Sequence, residues 1–272
     1  MSESTGWLPG WDCHLHVFDA AAPVHAGSHY APRTRSLAEI EATAAAQGVG
    51  RLVLVQPSVY GTDHQVMLRA LRAEPGRHRG VAVVAADVSD TELDTLHEAG
   101  VRGVRINRVS PVGERGDPAP LLRALAPRLR TRGWHVQWYV QADELPQLPG
   151  LQREAGLPFV LDHLAGMGLA VADDDAAAWP ALQALADSGA WVKLSGWYRL
   201  QAARPYAALH GRIARVAALF GPRCVWGSDW PHTGLSAEPA LPYAATWSPV
   251  VMALSSASAQ AVHSEQARQL YA

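Results

Sequence analysis

The 272-residue chain is 49% hydrophobic with a formal net charge of −2, which suits one domain with a deep core, of the usual size for an eightfold α/β barrel. The near-neutral balance excludes a general nucleic-acid binder, and no apolar run approaches the roughly 20 residues that span a bilayer. Two cysteines, Cys13 and Cys224, are too few for a disulfide framework, and Met1–Gly6 shows no signal pattern, so a soluble cytoplasmic protein is expected.

Short apolar runs alternate with helical stretches. The strand candidates in chain order are Asp12–Val17, Arg51–Gln56, Val81–Ala86, Val101–Asn107, Trp134–Val140, Phe159–His163, Trp191–Ser195 and Cys224–Ser228. Most are continuous apolar runs, as in parallel strands covered on both faces. Helix signals fill the gaps. Ser36 and Glu39 form a capping box before Ile40–Gln47, and Ser89 and Glu92 another before Leu93–Ala99. Asp63 precedes His64–Ala73, Asp117 precedes Leu121–Arg132, and Asp173–Asp175 precede Ala176–Ser188; Pro205–Phe220 ends at Gly221. Regular βα alternation predicts a single (β/α)8 TIM barrel over 1–272, with distortion allowed. An open doubly wound sheet lacks support, because no Gly-x-Gly-x-x-Gly turn follows the first strand. The Pro-rich segments 18–35 and 230–250 read as irregular loops over the barrel mouth.

Active sites of such barrels lie at the C-terminal strand ends. His14 and His16, spaced i, i+2, end strand one. Asp162-His163 ends strand six, and Ser228-Asp229 ends strand eight. Any one of these can be a satisfied barrel residue, but three imidazoles and a carboxylate at strand ends point to a functional cluster. Strand four carries Arg105 and Asn107, strand five His135, Gln137 and Tyr139, and strand seven Lys193 and Ser195, with Trp197, Tyr198 and Arg199 beyond. Lys193 is the only lysine, so no other lysine is available as a Schiff base or a carboxylated metal bridge.

The segments Asp12-Cys13-His14-Leu15-His16-Val17-Phe18-Asp19, Val160-Leu161-Asp162-His163-Leu164-Ala165-Gly166, Val192-Lys193-Leu194-Ser195-Gly196 and Gly227-Ser228-Asp229-Trp230-Pro231-His232 resemble the amidohydrolase superfamily, most closely its 2-pyrone-4,6-dicarboxylate lactonase branch. The resemblance runs from residue 11 to about residue 234. It implies a reaction centre at His14, His16, His163 and Asp229. It also implies capture of substrate carboxylates by Ser58, Arg105, Tyr139 and Arg199, with Tyr30 beside them and Arg108 or Arg115 as a further cation. The chain departs from the branch in the loop 108–118 and at Thr233-Gly234-Leu235, which bears on the substrate.

The expected activity is hydrolytic opening of a small anionic lactone, either pyrone-dicarboxylate-like or a sugar-acid lactone. Asp229 activates water and the histidines polarise the carbonyl. Three histidines and an aspartate also suit one divalent metal, zinc first, held by His14, His16, His163 and Asp229; the resemblance favours no obligatory metal. A two-metal site lacks its bridging residue. The alternatives are a metal-dependent aromatic-acid decarboxylase, a lactone isomerase and a non-enzymatic sugar-acid binding barrel. For Arg105 and Arg199, salt bridges to Asp87 or Asp162 compete with substrate capture, and Trp197 and Trp230 can wall a planar ring. A homodimer is left open; nucleic-acid and membrane partners are not expected.

Overall fold

The computed structural model describes residues 9–28, 30–235 and 240–272. The reading of Met1–Gly6, and parts of the two loop segments, lie outside the described residues. Eight parallel strands run in the order β1 to β8: Gly10–Leu15, Val49–Val55, Arg79–Ala82, Val101–Asn107, His135–Tyr139, Phe159–Leu161, Trp191–Leu194 and Cys224–Trp226. The ring closes just past the strand ends. The Asp229 amide donates to the His14 carbonyl at 2.7 Å, and the His16 amide donates to the Trp230 carbonyl at 2.8 Å. The result is a nearly closed (β/α)8 barrel whose seam lies between two of the candidate site segments. The β1–β2 register slips between Asp12 and Leu15, a distortion placed at the His-x-His pair.

Helices α1 to α7 fill the crossovers: Leu37–Ala45, Gln65–Ala73, Asp90–Glu98, Pro118–Thr131, Leu148–Ala155, Ala178–Asp187 and His210–Phe220. The capping signals act as their chemistry requires: Ser36 accepts from the Glu39 amide and Ser89 from the Glu92 amide, while Asp117 and Asp175 accept from first-turn amides. The α5 helix has no counterpart in the sequence reading. Its Pro149 looks like a breaker, but it sits in the first turn, where a missing N–H costs nothing. Likewise, the described residues of 230–250 are irregular only as far as Tyr243. Beyond it run α8 (Ala244–Ala253), α9 (Ser256–Gln260), a π-helical turn (Ala261–Glu265) and α10 (Gln266–Tyr271).

The third strand is displaced from its expected place. Val81–Ala86 is apolar throughout, but the ladder stops at Ala82, and the Val83 carbonyl is taken by the His64 ring at 2.7 Å instead of by a neighbouring strand. Asp87 is exposed and, among the described residues, forms no ion pair with an arginine of the kind expected.

One pleat face of the sheet packs on the helices through Leu52, Leu54, Val104, Trp138, Phe159 and Trp226. On the other face Trp11, Cys13, Val53, Val55, Val81 and Val225 form a smaller cluster closed by Tyr271 of α10. Both cysteines are free and buried. Among the described residues no helix is long and apolar enough to cross a membrane.

Candidate active site

His14 is the hub. Its Nδ1 lies 3.1 Å from Asp162 Oδ1 and its Nε2 lies 3.6 Å from Asp229 Oδ1. Burial drives the His14 pKa well below its ordinary value, so the ring is neutral. A neutral imidazole has one N–H, and Asp162 as an acceptor takes it from Nδ1. The Nε2 lone pair then points at Asp229. His16 Nδ1 lies 2.8 Å from the Val55 carbonyl, which can only accept, so in the neutral ring the lone pair sits on Nε2, 3.5 Å from Asp229 Oδ1. His163 Nδ1 lies 3.1 Å from Ser195 Oγ, and its Nε2 lies 3.8 Å from Asp229 Oδ2. His163 is fully buried, and burial lowers its pKa to about 4.

The two carboxylates are supplied differently. Asp162 Oδ2 accepts from Arg105 Nε at 3.1 Å and Gln137 Nε2 at 3.0 Å, and Lys193 Nζ stands 3.5 Å from Oδ1. Burial opposes its ionisation, but His14, Lys193 and Arg105 outweigh it and hold the carboxyl well below the usual range. Asp229 Oδ2 accepts from Tyr198 Oη and Arg199 Nε, both at 2.7 Å. Burial again opposes ionisation, and the Arg199 guanidinium beside it overcomes the penalty. Asp229 Oδ1, His14 Nε2 and His163 Nε2 are buried without a hydrogen-bond partner. A buried polar atom without a partner is costly, so convergence of several marks a place for something else to bind.

The lone-pair set tests a metal. His14, His16 and Asp229 offer ligand atoms within 4.8 Å of one another. Bonds of 2.0–2.1 Å in a tetrahedron place neighbouring ligand atoms roughly 3.4 Å apart, close to the 3.5 and 3.6 Å found to Asp229 Oδ1. The donor set therefore fits one zinc-class ion.

Backbone detail explains the motifs. His163 and Asp229 both sit at positive φ, 51° and 59°, a conformation that non-glycine residues hold at a cost and that clusters at functional sites. Gly196 and Gly227 are required by close approach: a Cβ on the first would meet His163 Nδ1 at 2.4 Å, and on the second His14 Cβ at 2.5 Å.

A cavity of about 140 Å3 opens beside the cluster, lined by His16, Tyr30, Ser58, Arg105, Tyr139 and Arg199 among others. These are the expected carboxylate-binding residues, now gathered in one wall. Arg108 does not line this cavity, contrary to expectation. Its guanidinium joins Glu144 and the carbonyls of Glu114 and Gly116, so it staples its own loop. Arg115 is turned outward, its contact being the Arg108 carbonyl at 3.4 Å. Trp197 is also misplaced as a ring wall, being 1% exposed with Nε1 bound to the Thr246 carbonyl, and Trp230 is absent from the cavity lining. The salt-bridge alternative holds for Arg105 with Asp162, whereas Arg199 pairs with Asp229. Tyr198 stands with Arg199 beyond strand seven, but nothing in the sequence assigns it a role; its only signal is that place.

Residues 11–272 match the family model described as amidohydrolase. The chain is 33% identical to the 2-pyrone-4,6-dicarboxylate hydrolase of Comamonas testosteroni, over 82% of this chain and 77% of that protein. It is 30% identical to the 4-sulfomuconolactone hydrolase of Rhizobium radiobacter, over 82% and 76%. Its fold superposes on a candidate 2-pyrone-4,6-dicarboxylic acid hydrolase from Pseudomonas putida with a TM-score of 0.86, 32% identity and 97% of both chains covered. The chain belongs to the amidohydrolase family, in the branch that holds the 2-pyrone-4,6-dicarboxylate hydrolases.

Proposed function

We propose that this chain hydrolyses a small lactone bearing carboxylates. The observation that carries the reading is the half-bare Asp229 carboxylate. Its Oδ2 is fixed by Tyr198 and Arg199, while its Oδ1 faces two imidazole nitrogens at the edge of a cavity with two arginines in its wall. The named relatives, both lactone hydrolases, support the same chemistry.

In this reading Asp229 takes a proton from water through Oδ1. The hydroxide oxygen adds to the lactone carbonyl, the acyl C–O bond breaks, and the proton held by Asp229 passes to the departing ring oxygen. One water is consumed, and one new carboxyl and one hydroxyl or enol are formed. His163, with Ser195 donating into Nδ1, presents Nε2–H to the carbonyl oxygen and stabilises its developing charge. Arg105 and Arg199, with Ser58, Tyr139 and Tyr30, bind the substrate carboxylates and orient the ring. His14 and His16 with Asp229 are the residues that would hold a zinc-class ion. When bound, that ion would supply Lewis-acid polarisation and a more acidic water.

The test is incubation with 2-pyrone-4,6-dicarboxylate and with 4-sulfomuconolactone, following loss of ring absorbance and a product heavier by one water. Absence of opening across these and other carboxylated lactones would sink the reading, and a product isomeric with its substrate would move it to isomerisation. Metal analysis of the same protein tests the ion: about one zinc per chain is expected. A fully active protein without metal overturns that part alone.

A further inference from the structure

The cavity beside Asp229 has a neighbour. A second cavity, of about 230 Å3, lies over the ends of β2 to β4 and shares Ser58, Arg105 and Asn107 with the first. The shared wall is built. Asn107 Nδ2 donates to Ser58 Oγ at 2.7 Å, and Asn107 Oδ1 accepts from the Val109 and Ser110 amides, both at 3.0 Å. The Asn107 carbonyl accepts from the Glu114 amide at 2.8 Å, which draws the loop 109–114 back over the end of β4. The second cavity is therefore preorganised by side-chain and backbone bonds.

Its chemistry differs from that of the first. Val83, Val84, Ile106, Val112 and Leu121 line it, and among the described residues its charged lining is Arg105, in the shared wall, and Glu114. The first cavity carries both Arg105 and Arg199, so anionic arms are held there, while the second adds an acidic residue, Glu114, to a largely aliphatic lining. Size points the same way. At about 140 Å3 the first cavity is well below the roughly 300–1,000 Å3 of ordinary ligand sites, so a substrate filling it extends beyond it, and the second cavity lies directly across the shared wall.

We propose that the second cavity takes a short neutral alkyl arm on the lactone ring, so that the substrate class is a carboxylated lactone with one alkyl substituent. This rests on the lactonase reading above. The arm passes the Ser58–Asn107 pair and leaves the ring against His16, Arg105 and Tyr139.

The experiment compares 2-pyrone-4,6-dicarboxylate with its two analogues carrying n-propyl at either free ring carbon. At least one analogue is expected to exceed the bare compound in kcat/KM about tenfold, mainly through KM, because an alkyl arm in a largely aliphatic lining is removed from water. Filling the cavity with Val84→Phe, or with Ala85→Phe at an exposed lining position, is expected to remove that preference; Val84→Ala is expected to keep it. A preference for the bare compound, or one that both filling variants leave in place, overturns the proposal while the lactonase reading stands. If none of the three compounds is opened, the lactonase reading falls and the proposal falls with it.

Discussion

The His14 ring stands between two buried carboxylates, and the contrast between them separates support from chemistry. Asp162 and Asp229 are both fully buried, both follow barrel strands, and each is paired with an arginine. Around Asp162 each oxygen has a donor: His14 Nδ1 with Lys193 behind it on one, Arg105 and Gln137 on the other. Around Asp229 only Oδ2 is bonded, and Oδ1 meets lone pairs. A carboxylate whose acceptor sites are filled is held still and holds others still. One with an oxygen left bare can take a proton or ligate an ion. The same residue type thus does two jobs, set by what the adjoining strands supply.

The largest effect expected is at Asp229. Asp229→Asn removes the proton acceptor while keeping size and the φ of 59°, which asparagine tolerates. Activity on an opened lactone should fall about a thousandfold or more, with substrate still bound and the fold kept. Kinetics paired with a ligand-binding titration check this. Near-normal turnover would remove the chemical half of the comparison.

Asp162→Asn should act in the reverse proportion. The amide places an NH2 against either His14 and Lys193 or Arg105 and Gln137, all donors, and leaves Lys193 and Arg105 without their buried counter-charge. Breaking a buried pair by removing one partner costs about 3–5 kcal/mol. Thermal unfolding should show a clear drop in Tm, while kcat/KM falls about 10- to 100-fold through a loosened His14. The comparison breaks if this variant melts normally yet loses as much activity as Asp229→Asn, for Asp162 would then take part in the chemistry.

The contrast also marks what the sequence could reveal. β4 was legible to the residue because Val101–Asn107 is bounded by Gly100 and a change of composition, and the cluster was legible because its histidines and Asp229 each sit at a strand end. The network around Asp162 was legible only in its Arg105 pairing. It depends on Arg105, Gln137 and Lys193, from three other strands, arriving at one height in the barrel, and that height is set by strand stagger, which no local pattern encodes. The expectation for Arg108 failed for a related reason. A cation next to a site strand looks like a ligand for substrate, but the loop carbonyls at Glu114 and Gly116 and the Glu144 carboxylate lie closer. Lys193 was readable as a buried cation in need of an acid, because a lone lysine in an apolar strand has few other fates.

The smallest effect belongs to Tyr198, and it tests how Asp229 is held. Its hydroxyl shares Oδ2 with Arg199, at the same 2.7 Å, and its ring lies 4.8 Å beneath the Arg199 guanidinium and edge-on to His232. Tyr198→Phe keeps both ring contacts and leaves Oδ2 with its charged partner, so Asp229 loses one bond and retains its orientation. A hydrogen bond of this kind contributes a net 0.5–1.5 kcal/mol or somewhat more, so kcat should fall roughly two- to tenfold with little change in Tm. Arg199→Gln should cost more than Tyr198→Phe, since it removes the charge that keeps Asp229 ionised along with a cation from the cavity wall. If Tyr198→Phe instead matched Asp229→Asn in its loss of kcat, Oδ2 would be the oxygen in the chemistry and Tyr198 its proton partner. The bare Oδ1 would then belong to a bound ion alone, and the division of labour drawn across His14 would have to be redrawn within Asp229 itself.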